Sequence, residues 1–175
     1  MTSKEQADPR ILGTLRSADG KGIARIEDQF ATDINDLWSA LTDPTRLAHW
    51  LGEFTGDLHV GGTFDAHFFS SGAESTGRVD TCEPPHHFTV TTKGLHAPNE
   101  HIVEATLSAS GAGTTLVIEQ RGLRLDWLPA FAAGLQIHIE DLAAHLTGGD
   151  RCDSDARMTE LIPAYEALTI ASESS

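Results

Sequence analysis

A chain of 175 residues with 39% hydrophobic side chains is long enough to bury one core and too apolar for wholesale disorder. Its net charge of −14, from 26 acidic and 12 basic side chains, opposes phosphate backbones and anionic membrane surfaces, which argues against nucleic acid or membrane as partners. No apolar run approaches the roughly 20 residues of a membrane span, and the first residues carry no apolar signal core, so Cys82 and Cys152 read as two reduced thiols of a cytoplasmic protein.

The polar residues 1–10 are expected to be a flexible start. Residues 11–16 and 22–30 read as two strands joined at Asp19-Gly20, a short-hairpin signal, and in the second strand Ile26, Asp28 and Phe30 share one face. Thr32 or Asp33 can cap a helix in which Ile34, Leu37, Trp38 and Leu41 recur at helical spacing. Asp43-Pro44 then opens a second short helix: the carboxylate accepts free amide hydrogens, and proline at the first position lacks a donor that would be wasted there. Leu47, Trp50 and Leu51 form the buried side of that helix.

From residue 53 the period changes to two. Phe64, Ala66 and Phe68 alternate with polar neighbours, as do Phe88, Val90 and Thr92, then Val103, Ala105 and Leu107, then Leu116, Ile118 and Gln120. Turn signals at Gly61-Gly62, Ser70-Ser71-Gly72, Pro84-Pro85, Pro98-Asn99 and Gly111-Ala112-Gly113 separate the runs, which predicts an antiparallel meander with one covered face. Residues 126–147 then read as a helix whose Leu128, Phe131, Ala132, Leu135, Ile139, Leu142 and Leu146 form one stripe, with Ile137 on the opposite face. Gly148-Gly149 ends it, and residues 150–175 are a C-terminal extension with helical spacing from Met158 to Leu168, interrupted at Pro163.

The predicted class is therefore α+β. An antiparallel sheet of six to seven strands wraps a long C-terminal helix, two short helices follow the first long strand, and the domain covers residues 11–149. In this order stand Trp38, Leu41-Thr42-Asp43-Pro44, Trp50, Gly61-Gly62, Gly77-Arg78-Val79, Glu83-Pro84-Pro85, Thr114 and Leu116, and Gly122-Leu123. On these marks the chain, over about residues 22 to 148, resembles the START-like (SRPBCC) helix-grip superfamily, and within it the branch homologous to the activator of heat-shock-protein-90 ATPase. Family members often carry Gly-Trp in the last helix where this chain has Gly134-Leu135, and loss of an indole there would enlarge the hollow or change its shape.

The resemblance implies a cavity between sheet and last helix, so a small, largely hydrophobic ligand is the expected partner. Candidate contacts are Trp50, Phe68, His101, Gln120, Trp127, Phe131, Leu135 and His138. Asp28, His101 and Gln120 share phase with inward apolar residues, and a buried polar group without a partner costs about 1–3 kcal/mol, so each needs a neighbour or a guest. His138 and His145 flank Asp141 at the spacing of ordinary helix-surface pairs. The nine histidines show no H-E-x-x-H spacing and no paired cysteine ligands, so neither metal nor cofactor is expected. The absence of a G-x-S-x-G elbow leaves no assigned catalytic residue and makes a binding protein the leading expectation over an enzyme. Two rivals stand beside it: an interaction protein resembling the chaperone-ATPase activator, with self-association as a further option, and a polyketide-cyclase-like enzyme using a histidine as general acid or base.

Overall fold

The computed structural model describes residues 10–95 and 99–172; residues 1–9, with most of the expected flexible start, and Pro98 of the expected Pro98-Asn99 turn lie outside the described residues. The hairpin β1 (Gly13–Ala18) and β2 (Lys21–Phe30) leads into α1 (Ile34–Thr42) and α2 (Pro44–Trp50). Asp33 caps α1 by accepting from Asp36 N at 2.9 Å, while Thr32 donates to the Asp36 carboxylate at 2.6 Å instead. Asp43 both closes α1, through its N–H on Ser39 O, and opens α2, accepting from Thr45 N at 2.9 Å with Pro44 first in the helix.

A meander follows: β3 (Gly52–Gly56), β4 (Thr63–Phe68), β5 (Glu74–Glu83), β6 (His87–Gly94), β7 (Glu100–Ser110) and β8 (Gly113–Leu123). The chain then passes a 3-10 turn (Leu125–Trp127) into α3 (Leu128–Leu146), continues as α4 (Ser154–Glu166) and ends in β9 (Ala171–Ser172). The sheet order is β3-β4-β5-β6-β7-β8-β2-β1-β9, antiparallel except where β9 runs parallel to β1.

The sheet thus has nine strands rather than six to seven, and the difference has a physical cause. β5 reads ESTGRVDTCE, with Val79 as its one large buried apolar side chain, so hydrophobic alternation does not announce it. Its inward positions are small because the neighbouring strand fills the space: a Cβ on Gly77 would collide with the ring of Phe64. β3 is bounded by glycines, and β9 is a two-residue edge that only tertiary pairing defines.

α3 explains the misplaced Ile137. Leu128, Ala132, Leu135, Ile139 and Leu142 face the sheet and are buried, whereas Ala133 and Ile137, also buried, lie on the side covered by α4. The polar members of that second side are fully engaged. Gln136, wholly buried, accepts from Leu12 N at 3.1 Å and Tyr165 OH at 2.5 Å, and donates to Arg10 O and Glu140. Arg157 of α4 grips Glu140 with two bonds at 2.7 and 2.8 Å. α4 also runs through Pro163 rather than breaking there, because Leu161 and Tyr165 on either side of it are both sealed against the core.

The buried residues fall into two groups. The large one joins β1, β2, β7, β8, α1, α2, α3 and α4; the small one is Phe64, Ala66 and Val79 under β4 and β5, with half-buried Phe54 packed against both.

Candidate functional site on the open side of the long helix

α3 has a third side, facing neither the sheet's packed half nor α4: Phe131, Gly134, His138 and His145. At its N-terminal end lies a cavity of about 620 Å³ between the β4–β5 connection (Gly72, Ala73), the β6–β7 connection (Leu95, Asn99), His101, Arg124, Trp127 and Phe131. His101 stands on the inward face of β7; its ring meets Phe131 edge-on at 5.2 Å, and Gln120 Nε2 approaches its Nδ1 at 3.5 Å. Burial, with Lys21 nearby, lowers the His101 pKa, so the ring is neutral near pH 7. Trp127 is 58% exposed at the rim, with the Arg124 guanidinium over its ring at 5.5 Å, and Arg124 is itself held by Asp126.

Deeper along the helix, His138 stacks on Phe68 with centroids 5.6 Å apart and planes 16° from parallel. Its Nε2 lies 2.9 Å from Ser70 Oγ in the β4–β5 connection. Burial alone lowers its pKa to about 4 and no neighbouring charge contributes, so the imidazole is neutral over the physiological range. Between Phe131 and His138, a Cβ built on Gly134 meets nothing within 4 Å, which marks open space beside the helix.

The structure therefore places the expected residues in three groups. His101, Trp127 and Phe131 stand together at the cavity with Gln120 beside His101, and Phe68 with His138 forms a pair one to two turns further in. Trp50 and Leu135 are not brought to the wall. Trp50 is 3% exposed and donates its indole N–H to Ala40 O at 3.0 Å, and Leu135 faces the packed half of the sheet. Both are core, as the spacing that exposed them to notice also required.

The expected helix pairs of Asp141 with His138 and His145 are replaced by other partners. Asp141 is buried, which raises its pKa, and accepts from Cys152 N at 2.9 Å, fixing the turn between α3 and α4. His145 stacks on His49 of α2 at 5.9 Å and receives Arg46, which also binds Asp36 at 2.7 Å. Asp28 turns to Arg10 at 3.4 Å near the sheet's end. Sequence reasoning missed Ser70, read only as a turn residue. Its link to His138 spans 68 residues, and no local pattern carries such a signal.

A second depression, about 550 Å³, crosses strands β3 to β7 and includes Thr55, Asp65, Thr76, Arg78 and Lys93. Register puts these side chains opposite the buried Phe64 and Val79, so the depression belongs to the solvent face, with mostly polar side chains around it. Among the described residues no group of three His, Cys, Asp or Glu could hold a metal ion, and both cysteines are free.

A mostly antiparallel sheet that grips a long C-terminal helix, with a cavity left at their junction, defines the START-like (SRPBCC) helix-grip class. Within it the chain belongs to the family described as Activator of Hsp90 ATPase homolog 1-like protein, which matches residues 31–147. CalU16 from Micromonospora echinospora is similar, with 26% identity and a TM-score of 0.73 over 89% of this chain and 94% of that one. DynU16, from the dynemicin biosynthetic locus, has 26% identity and a TM-score of 0.68 over 75% of this chain and 50% of that one. MLL2253 from Mesorhizobium loti has 27% identity and a TM-score of 0.65 over 73% of this chain and 98% of that one. A comparison with curated proteins found no match. No helix among the described residues is long and apolar enough to cross a membrane.

Proposed function

We propose that the protein holds a small, largely apolar molecule, without a covalent step, in the hollow between the open side of α3 and the β3–β6 half of the sheet, and that it does so in the cytoplasm. The reading is carried by the cavity of about 620 Å³, whose rim keeps two large apolar side chains, Trp127 and Leu95, 58% and 57% exposed. Apolar surface at the mouth of a concave site is what a guest covers. His101 on the cavity wall, Gln120 beside it and His138 further along the helix supply the few polar groups that orient such a guest, and Trp127 and Phe131 supply its aromatic lining.

Titration with a neutral lipophilic fluorophore, N-phenyl-1-naphthylamine, tests this. Saturable enhancement of its emission and a rise in Tm are expected, with Trp127→Ala weakening the affinity about tenfold, as for loss of a buried aromatic contact. No enhancement and no Tm shift at the probe's solubility limit would remove the proposal.

The family description favours a second reading, in which the acidic surface docks on a chaperone ATPase. Its check is a pull-down of the chaperone at low and high salt: salt-sensitive capture supports it, and no capture at low salt rejects it.

A further inference from the structure

We infer that the inner end of this hollow recognises an uncharged aromatic hydroxyl, with Nδ1 of His138 as its hydrogen-bond partner. The inference rests on the hollow being a ligand site and names the class of guest.

Continuity from rim to His138 comes from both walls. On the helix, Phe131, Gly134 and His138 follow one another at steps of three and four residues, so they stand in one row, and Trp127 immediately precedes the helix at the cavity end. Trp127 and Phe131 line the cavity, and the row's next position, Gly134, opens on free space. On the sheet side, Gly72 and Ala73 line the cavity, and Ser70, two residues earlier in the same connection, holds His138.

His138 is fixed but incompletely satisfied. The Phe68 stack sets its plane and Ser70 engages Nε2, while Nδ1 has no hydrogen-bond partner among the described residues. Ser75 Oγ is the only side-chain polar atom among them that is both sealed and unpartnered, so Nδ1 of His138 reaches accessible space. A polar atom this deep calls for a water or a ligand.

The chemistry of that nitrogen narrows the guest. If Ser70 donates to Nε2, the imidazole proton sits on Nδ1, which donates; if Ser70 accepts, Nδ1 accepts. A hydroxyl serves either tautomer, whereas an ether or carbonyl serves one. The cation lining the cavity, Arg124, is already paired with Asp126, and His138 itself is engaged among the described residues only by Ser70 and the Phe68 ring, so a carboxylate brought to it would lack a free counter-ion. Trp127 and Phe131, which line the cavity, favour an aromatic body.

The test titrates the full chain with naphthalene, 2-naphthol and 2-naphthoate, followed by calorimetry. We expect 2-naphthol to bind about three- to tenfold tighter than naphthalene, the worth of one net hydrogen bond, and 2-naphthoate to bind more weakly than either. His138→Phe should erase the naphthol advantage while leaving naphthalene affinity within about twofold, and His138→Asn, whose amide stands near the Nδ1 position, should restore it. Equal affinities for naphthol and naphthalene in the unaltered protein, or a naphthol advantage that survives His138→Phe, would overturn the inference and leave the ligand site standing on naphthalene binding. If none of the three binds, the ligand-site reading fails and takes this one with it. Should His138→Phe not fold, nitrogen NMR of the unaltered protein decides: naphthol must shift the His138 Nδ1 resonance, and an unmoved resonance overturns the assignment.

Discussion

In the half of the sheet formed by β1, β2, β7 and β8, inward positions carry Leu15, Ile26, Leu107, Leu116 and Ile118; α3 lies on β1 and β2, and α1 packs against β7 and β8. In the other half, β3 to β6, several inward positions are small or polar, Ser75, Gly77 and Thr92 among them, and α3 meets that half through His138 on Phe68 and Ser70. The two halves share one backbone pattern and differ in what fills it. Close packing concentrates stability in the first half, because each buried methylene contributes about 0.8 kcal/mol there. The second half can therefore keep a hollow without endangering the fold.

The comparison breaks most visibly under truncation. Leu142→Ala, at a fully sealed position on the sheet-facing stripe, should lower unfolding free energy by about 2–5 kcal/mol. Phe131→Ala, on the open side, should cost clearly less, because its ring already borders empty space. Urea unfolding of both variants checks this, and equal losses would mean the halves are packed alike.

Acid probes the same contrast through His138. Its folded pKa is about 4 and its unfolded value about 6.5, so between those pH values the unfolded chain binds a proton that the folded one refuses. Stability is therefore fully present above pH 6.5 and falls as pH drops toward 4, by on the order of 3 kcal/mol. His145, lowered by burial and then by Arg46 and His49, pushes in the same direction at the α2–α3 junction. Glu104, held below its usual range by hydrogen bonds from His87 and Arg121, adds an acid-labile contribution at lower pH. The urea midpoint of the protein should fall more steeply from pH 7 to pH 4 than that of His138→Asn, which has no imidazole proton to refuse. Parallel curves would show that His138 is not held neutral by burial.

In the packed half, Gln136→Ala should cost about 1–3 kcal/mol, since it strands the Tyr165 hydroxyl and Leu12 N–H inside the core. Adding Tyr165→Phe to it should recover part of the loss, because one stranded donor is removed; a double-mutant cycle in chemical denaturation measures the coupling.

The contrast between the halves also governs what could be read from sequence. Strong periodicity made β2, β4, β6, β7, β8 and the sheet-facing stripe of α3 legible, and Asp43-Pro44 carried its meaning in two residues. β5 escaped because Ser75 and Gly77 are small for a reason that lies in the neighbouring strand, the ring of Phe64. Ile137 was inexplicable until α4 covered it, and Pro163 suggested a break that sealed neighbours on both sides override. His101 and Gln120 could be singled out from strand phase, and Trp127 and Phe131 as aromatic side chains, but that His101, Trp127 and Phe131 share one end of the long helix was not written in the sequence. Trp50 and Leu135 carry the same apolar signature and pack into the core, for spacing reports burial and not which buried surface is left empty. Ser70 was invisible, since its role arises only when the β4–β5 connection is folded against α3.

The smallest expected effect is also the most discriminating. Gly134 lies within α3 with nothing within 4 Å of a built Cβ, so Gly134→Ala adds a methyl to empty space and relieves the entropic cost of glycine in a helix. Stability should rise by up to about 1 kcal/mol. Glycine is poorly suited to the middle of a helix unless a side chain there would obstruct something, and here the obstruction would be of the hollow rather than of another element. Gly134→Leu should therefore leave the thermal midpoint near that of Gly134→Ala while weakening N-phenyl-1-naphthylamine binding several-fold. A Leu variant that is both as stable and as avid as the Ala variant would show that the space beside Gly134 is open solvent and forms no part of the site.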